Sequence, residues 1–120
     1  MVSAVESMSE QTFLVLAALA DQPRHGYALI TEVAALSDGR ITLRASTLYA
    51  VLDRLVTREL IAHERDEVDA GRLRRYYRLT DQGALAVAAE ADRMAASAKA
   101  ARERLRLRPA GRPALGGEAR

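Results

Sequence analysis

The stretch Ser46-Thr47-Leu48-Tyr49-Ala50-Val51-Leu52-Asp53-Arg54-Leu55 decides how this chain is read. Its apolar side chains fall at Leu48, Val51, Leu52 and Leu55, and one step further on at Val56. That i, i+3, i+4, i+7, i+8 spacing predicts a helix half-buried against a core. The face left outside carries Ser46, Tyr49, Ala50, Asp53 and Thr57, short or amphipathic groups that can be offered to a base edge or a phosphate. Downstream, Glu59-Leu60-Ile61 leads into a strand to Val68, and Asp69-Ala70-Gly71 makes a hairpin tip where glycine supplies positive φ. Leu73 to Leu79 returns, with Arg72, Arg74, Arg75 and Arg78 in a tight cluster. A groove-shaped helix followed by a basic hairpin is the wiring of a winged helix-turn-helix.

The flanking sequence fits that frame. Thr12 to Ala20 is apolar with few breaks and ends at Asp21-Gln22-Pro23, which predicts a first helix buried on more than one side. His25 to Leu36 predicts a second helix, whose Gly26 lets the first turn approach a neighbour closely. Ser37-Asp38-Gly39-Arg40 reads as a turn and Ile41-Thr42-Leu43 as a short strand beside the wing. Ser46 is taken first as the N-cap of the third helix, and Thr80 as that of the last, with Asp81 in its positive first turn. In that last helix Ala84, Val87, Ala91, Met94, Ala98, Ala101 and Leu105 step by alternate threes and fours, a heptad seam suited to a partner helix. The expected architecture is mainly α with a small β-wing: residues 1–11 a flexible N-terminus, 12–80 a winged helix-turn-helix, 81–108 a C-terminal dimerisation helix, and 109–120 a disordered basic tail.

Charge and composition bound the function. The 120 residues carry a net charge of +2, but residues 1–98 hold 11 Lys/Arg against 14 Asp/Glu, a balance of −3. Residues 99–120 hold 7 against 2, a balance of +5, so the bulk basicity belongs to the tail and any nucleic-acid argument rests on local clusters. Cysteine is absent, which removes disulfide and thiolate chemistry. No apolar run reaches the length of a membrane span and no signal peptide is evident, so a cytoplasmic protein without membrane contact is expected. The two histidines, His25 and His63, lack partners at metal-ligand spacing, and no phosphate loop or nucleophile motif is present. No enzyme activity, metal or cofactor is expected.

In order along the chain, these residues resemble the PadR family of bacterial transcription regulators. The resemblance covers about Thr12 to Leu105. It rests on His25-Gly26-Tyr27, on the helix Ser46 to Leu55, and on Gly71-Arg72-Leu73-Arg74-Arg75-Tyr76-Tyr77-Arg78-Leu79-Thr80, with Gly83 where a helix-opening glycine belongs. Ser46 and Glu59 stand where the family usually has glycine, and Ala50 where it usually has proline. The resemblance implies a homodimeric, repressor-like regulator of double-stranded DNA, dimerised through its first helix (Phe13, Leu14, Leu16) and its last. A symmetric dimer implies an inverted-repeat operator with half-sites about one helical turn, or a near multiple, apart. Some multidrug-responsive members hold flat ligands between tryptophans; this chain has none, so stacking of planar drugs at the dimer centre is not expected, and the effector stays unknown.

Candidate DNA contacts follow residue by residue. Matching family positions make Tyr27 and Tyr49 phosphate contacts; the alternative is half-buried packing with a solvated hydroxyl. Ser46, Thr47 and Ala50 offer hydroxyls or a methyl to base edges. Asp53 reads as an orienting charge ahead of a cytosine reader, and Arg44 and Arg54 add basic groups at the same helix. Arg72, Arg74 and Arg75 are the wing contacts, although alternation along a strand puts Arg74 and Arg78 opposite Arg75. The competing class is a winged-helix protein-interaction module without DNA binding.

Overall fold

In a computed structural model of the chain, residues 8–111 are described. Among them the elements run α1 (Glu10–Ala18), β1 (Arg24–His25), α2 (Gly26–Leu36), α3 (Ala45–Thr57), β2 (Ile61–Asp69), β3 (Arg72–Leu79) and α4 (Asp81–Arg106). The strands form one antiparallel sheet in the order β1-β3-β2. The chain divides into two compact units, residues 1–90 and 91–120. The first is a winged helix-turn-helix, mainly helical with a small β-wing, as the sequence predicts.

Its core is assembled by the apolar faces of three helices. Leu16 and Leu19 near the end of α1, Leu29 and Val33 of α2, Leu48, Leu52 and Leu55 of α3, and Ile61 at the start of β2 are all fully buried. Each such side chain contributes about 1.5–3 kcal/mol of hydrophobic stabilisation, which is what fixes α3 against α1 and α2. Leu14, Val15, Leu16, Ala18 and Leu19 are all buried, so α1 is enclosed on more than one side. Val56 departs from the expected inward set: at 41% exposure it lies past the edge of the core.

Three local expectations are corrected. Helix α1 starts at Glu10, inside the stretch read as a flexible N-terminus, because Ser9 caps it by accepting from the Thr12 amide at 3.1 Å. Residues 1–7 lie outside the described residues, as do residues 112–120 of the tail read as disordered. Ile41-Thr42-Leu43 is not a strand: Leu43 plugs into the core, and the Ile41 amide donates to Ser37 Oγ. The third strand is instead Arg24–His25, paired with Tyr77 and Tyr76 of β3. Finally, α3 is already helical at Ala45, with Arg44 at the cap position and no side-chain cap, so Ser46 is not the N-cap and lies exposed on the first turn.

The joint between α3 and the wing is tightly tied. The α3 exit carries both bonds of a Schellman turn, Leu60 N–H to Leu55 O and Glu59 N–H to Val56 O. Glu59 stands at the left-handed position with φ 63°, where glycine is the unstrained residue. Thr80 then closes the wing: its amide donates to Leu60 O, its hydroxyl donates to Glu59 O at 2.7 Å, and its Oγ1 accepts from the Gly83 amide. The expected N-cap of α4 is therefore in place. Gly83 is buried against the Leu60 carbonyl, which a side-chain carbon there would overlap. Among the described residues, no helix is long and apolar enough to cross a membrane.

Candidate nucleic-acid interface

Amphipathicity of α3 sorts its residues into two sets. Leu48, Val51, Leu52 and Leu55 face the core, while Ser46, Ala50, Asp53 and Thr57 line the exposed face at helical spacing. Tyr49 flanks this face at 48% exposure, and Arg54 lies exposed on the other side. Thr47 is half-buried at the edge, and Arg44 is exposed where the chain enters the helix. Within the α3 span the exposed face carries little charge besides Asp53 and Arg54.

Beside Tyr49, three elements converge on a notch of about 280 Å³ lined by His25, Gly26, Tyr27, Tyr49, Arg72, Leu73, Arg74 and Arg75. The close approach expected at Gly26 is real, and the neighbour is the Tyr49 ring: a side chain on Gly26 would strike its hydroxyl end. Tyr27, on the first turn of α2, is 67% exposed and lies under the Arg74 guanidinium, whose carbon is 5.7 Å from the ring centroid. Arg74 Nε is buried without a hydrogen-bond partner, an orphan donor beside the notch. An anion seated there would meet phenol hydroxyls and guanidinium groups, a donor set suited to a phosphate oxygen.

His25 belongs to this site, although the sequence marked it only as a helix-start residue. It does cap α2, since its Nδ1 accepts from the Ala28 amide at 3.2 Å, which requires that nitrogen to be unprotonated. Burial, and then the charge of Arg74, hold its imidazole below the ordinary value against the opposing pull of Asp69. Its ring also meets Tyr76 edge-on at 5.2 Å. Its position one residue before Gly26-Tyr27 was the available signal.

The hairpin places its charges in a ladder. Ala70 and Gly71 both adopt positive φ, the two-residue tip that the right-handed strand twist favours. Register sets Asp69 across from Arg72, Glu67 from Arg74 and Asp66 from Arg75, with an irregularity between His63 and Arg65 that leaves Glu64 out of line. Arg75 Nε is 3.7 Å from Asp66, and Arg78 Nε is 3.2 Å from Glu64. Tyr77 is buried and Leu79, two residues on along the same strand face, packs against the core.

The notch thus brings Tyr27, Tyr49, Arg72, Arg74 and Arg75 together, while Arg44, Ser46, Thr47, Ala50, Asp53 and Arg54 remain along α3. The residues expected at a dimer interface divide differently. Leu14 and Leu16 are consumed by the chain's own core, and Phe13 and Val87 are half-buried against it. Ala84, Ala91, Met94, Ala98, Ala101 and Leu105 are exposed along α4, which ends at Arg106, two residues short of the expected limit.

Residues 15–89 match the family described as transcriptional regulator PadR-like. A relative, an uncharacterized protein of Lysinibacillus sphaericus, is 31% identical over 70 residues, 58% of this chain and 64% of the relative's own length. A PadR family transcriptional regulator from Eggerthella lenta is similar in structure, with a TM-score of 0.63 and 31% identity over 78% of this chain and 80% of that one. Bacillus subtilis PadR in complex with operator DNA is similar with a TM-score of 0.58 and 20% identity, over 68% of this chain and 46% of that one. With the family matched over more than half its length, the chain belongs to the PadR-like family of transcriptional regulators.

Proposed function

We propose that this chain is a sequence-specific DNA-binding regulator that acts as a homodimeric repressor on an inverted-repeat operator, in the cytoplasm. The observation that carries the proposal is the notch, where Tyr27, Tyr49 and Arg74 converge beside the short-chained outer face of α3. A phosphate held there fixes the register in which Ser46, Thr47, Ala50 and Asp53 meet base edges in the major groove. The operator complex of the structurally similar Bacillus subtilis PadR supports the same partner class. The exposed seam on α4, with Met94 at 47% exposure its bulkiest member short of Leu105, supports pairing with a second copy. With Leu14 and Leu16 already buried within the chain, the seam and Phe13 supply the first-choice dimer contacts.

The test is a gel shift of the full chain on duplex DNA from upstream of its own gene, repeated across a salt series. Retardation that weakens steeply with salt is expected. Met94→Asp, which puts an unpaired charge into the seam, should sediment as a monomer and lose most of its retardation. The balance of −3 over residues 1–98 favours a second reading, a protein-interaction module. Absence of any retardation at low salt would select it.

A further inference from the structure

Resting on the DNA-binding reading above, we infer that the acidic strand β2 holds down the wing's affinity for DNA, with Asp66 occupying Arg75 until a phosphate displaces it. A carboxylate offers a guanidinium the same paired oxygens as a phosphate, so the strand opposite β3 is a row of built-in competitors. Asp66 faces Arg75 in register, and its Oδ1 also lies 2.8 Å from His63 Nε2, which pins the carboxylate on the strand. That contact first, and then the charges of His63 and Arg75, keep Asp66 below the usual carboxylate value, so it is ionised throughout the neutral range.

The neighbouring acids do different things. Glu64, thrown out of line by the irregularity, reaches Arg78. Glu67, although opposite Arg74, turns instead to Arg65 at 2.6 Å. The hairpin thereby sorts its arginines: Arg74 stands over Tyr27 with its Nε unpaired, while Arg75 and Arg78 are engaged by carboxylates.

These pairs are solvent-exposed and therefore weak, so a phosphate can displace them. Phosphates carry no sequence information, so the displacement subtracts alike from binding to every sequence. Against a large excess of nonspecific sites, weaker backbone affinity keeps the protein available for the contacts that α3 reads. The arrangement also accounts for a basic wing on a body whose net charge is negative.

The experiment measures full-chain binding to a mixed-sequence duplex of about 30 base pairs for wild type, Asp66→Asn, Arg75→Ala and the double variant. Asp66→Asn should bind about fivefold more tightly than wild type and steepen the log–log salt slope by about one. The double variant should bind no better than Arg75→Ala alone. A gain that persists without Arg75 would be a bulk-charge effect and would overturn the inference, as would no gain from a wild type that binds. Wild type that binds no duplex even at low salt would instead sink the DNA reading itself. Should Asp66→Asn fail to fold, Asp66→Ser with Arg75→Ala makes the same cycle on the same pair, with the same two outcomes.

Discussion

Helix α3 and the β2–β3 hairpin meet at Leu60 and Thr80, yet they are built to opposite rules. The helix buries four large apolar residues and offers solvent a face of hydroxyls, a methyl and little charge. The hairpin buries almost nothing beyond Ile61 and Tyr77, and along its length carboxylates face guanidinium groups. A weakly charged face can discriminate, because a mismatched short side chain loses hydrogen bonds or contact at one base pair. A charged hairpin cannot discriminate in that way, because phosphates are the same at every step. Under the proposed function, the difference gives reading to the helix and holding to the wing. The notch, lined by Tyr49 of the one and Arg74 of the other, is where that proposal brings the two roles into register.

The largest expected effect comes from breaking the joint that keeps the two regions together. Gly83→Ala puts a methyl into the Leu60 carbonyl oxygen and Leu79, and backbone cannot swing aside as a side chain can. A loss of about 2–3 kcal/mol is expected from urea denaturation, with the wing loosened from α3. Gly26→Ala makes an instructive contrast: its clash is with the movable end of Tyr49, so stability should change far less than DNA affinity.

A smaller effect of opposite sign sharpens the comparison at the helix exit. Glu59 holds φ 63° with an exposed side chain, so Glu59→Gly relieves left-handed strain. A gain of about 1 kcal/mol is expected by the same denaturation series, without change in the sequences bound.

The smallest effect concerns the cap beneath the notch. His25 is held below its ordinary value, so the unfolded chain takes up the proton first as pH falls. Its contribution is therefore complete above about pH 6.5 and declines below it, toward the folded-state value. Replacement by asparagine keeps a capping acceptor and removes the titration. His25→Asn should flatten the stability profile as pH falls below about 6.5. Losses at more acidic pH, from Glu10 paired with Arg40 and from Asp66, should remain.

Much of this molecule was legible because its signals are periodic or steric. The spacing of Leu48, Val51, Leu52 and Leu55 gave α3 its inner face, Thr80 its cap, and Gly71 the hairpin tip. What escaped was set by partners distant in sequence. Arg24–His25 is too short to carry any alternation, and only the free edge of β3 makes it a strand. Ser46 looks like a cap, but the descent from buried Leu43 puts the cap at Arg44 and starts the helix two residues earlier. The four wing arginines read as one cluster, and their division into engaged and unengaged became visible only with the register of β2. Leu14 and Leu16 read as interface residues from the resemblance, while the three-dimensional packing gives them to the chain's own core.

The division of labour between helix and wing is tested most directly by selecting bound sequences from a randomised duplex pool. Wild type, Arg74→Ala, Thr47→Ala and Ala50→Gly would each be used as the full chain. Arg74→Ala should recover the same motif as wild type, with weaker binding to every sequence and a log–log salt slope shallower by about one. Thr47→Ala and Ala50→Gly should recover altered motifs while keeping the wild-type salt slope. A wing variant that changes the motif, with helix variants that leave it untouched, would contradict the account.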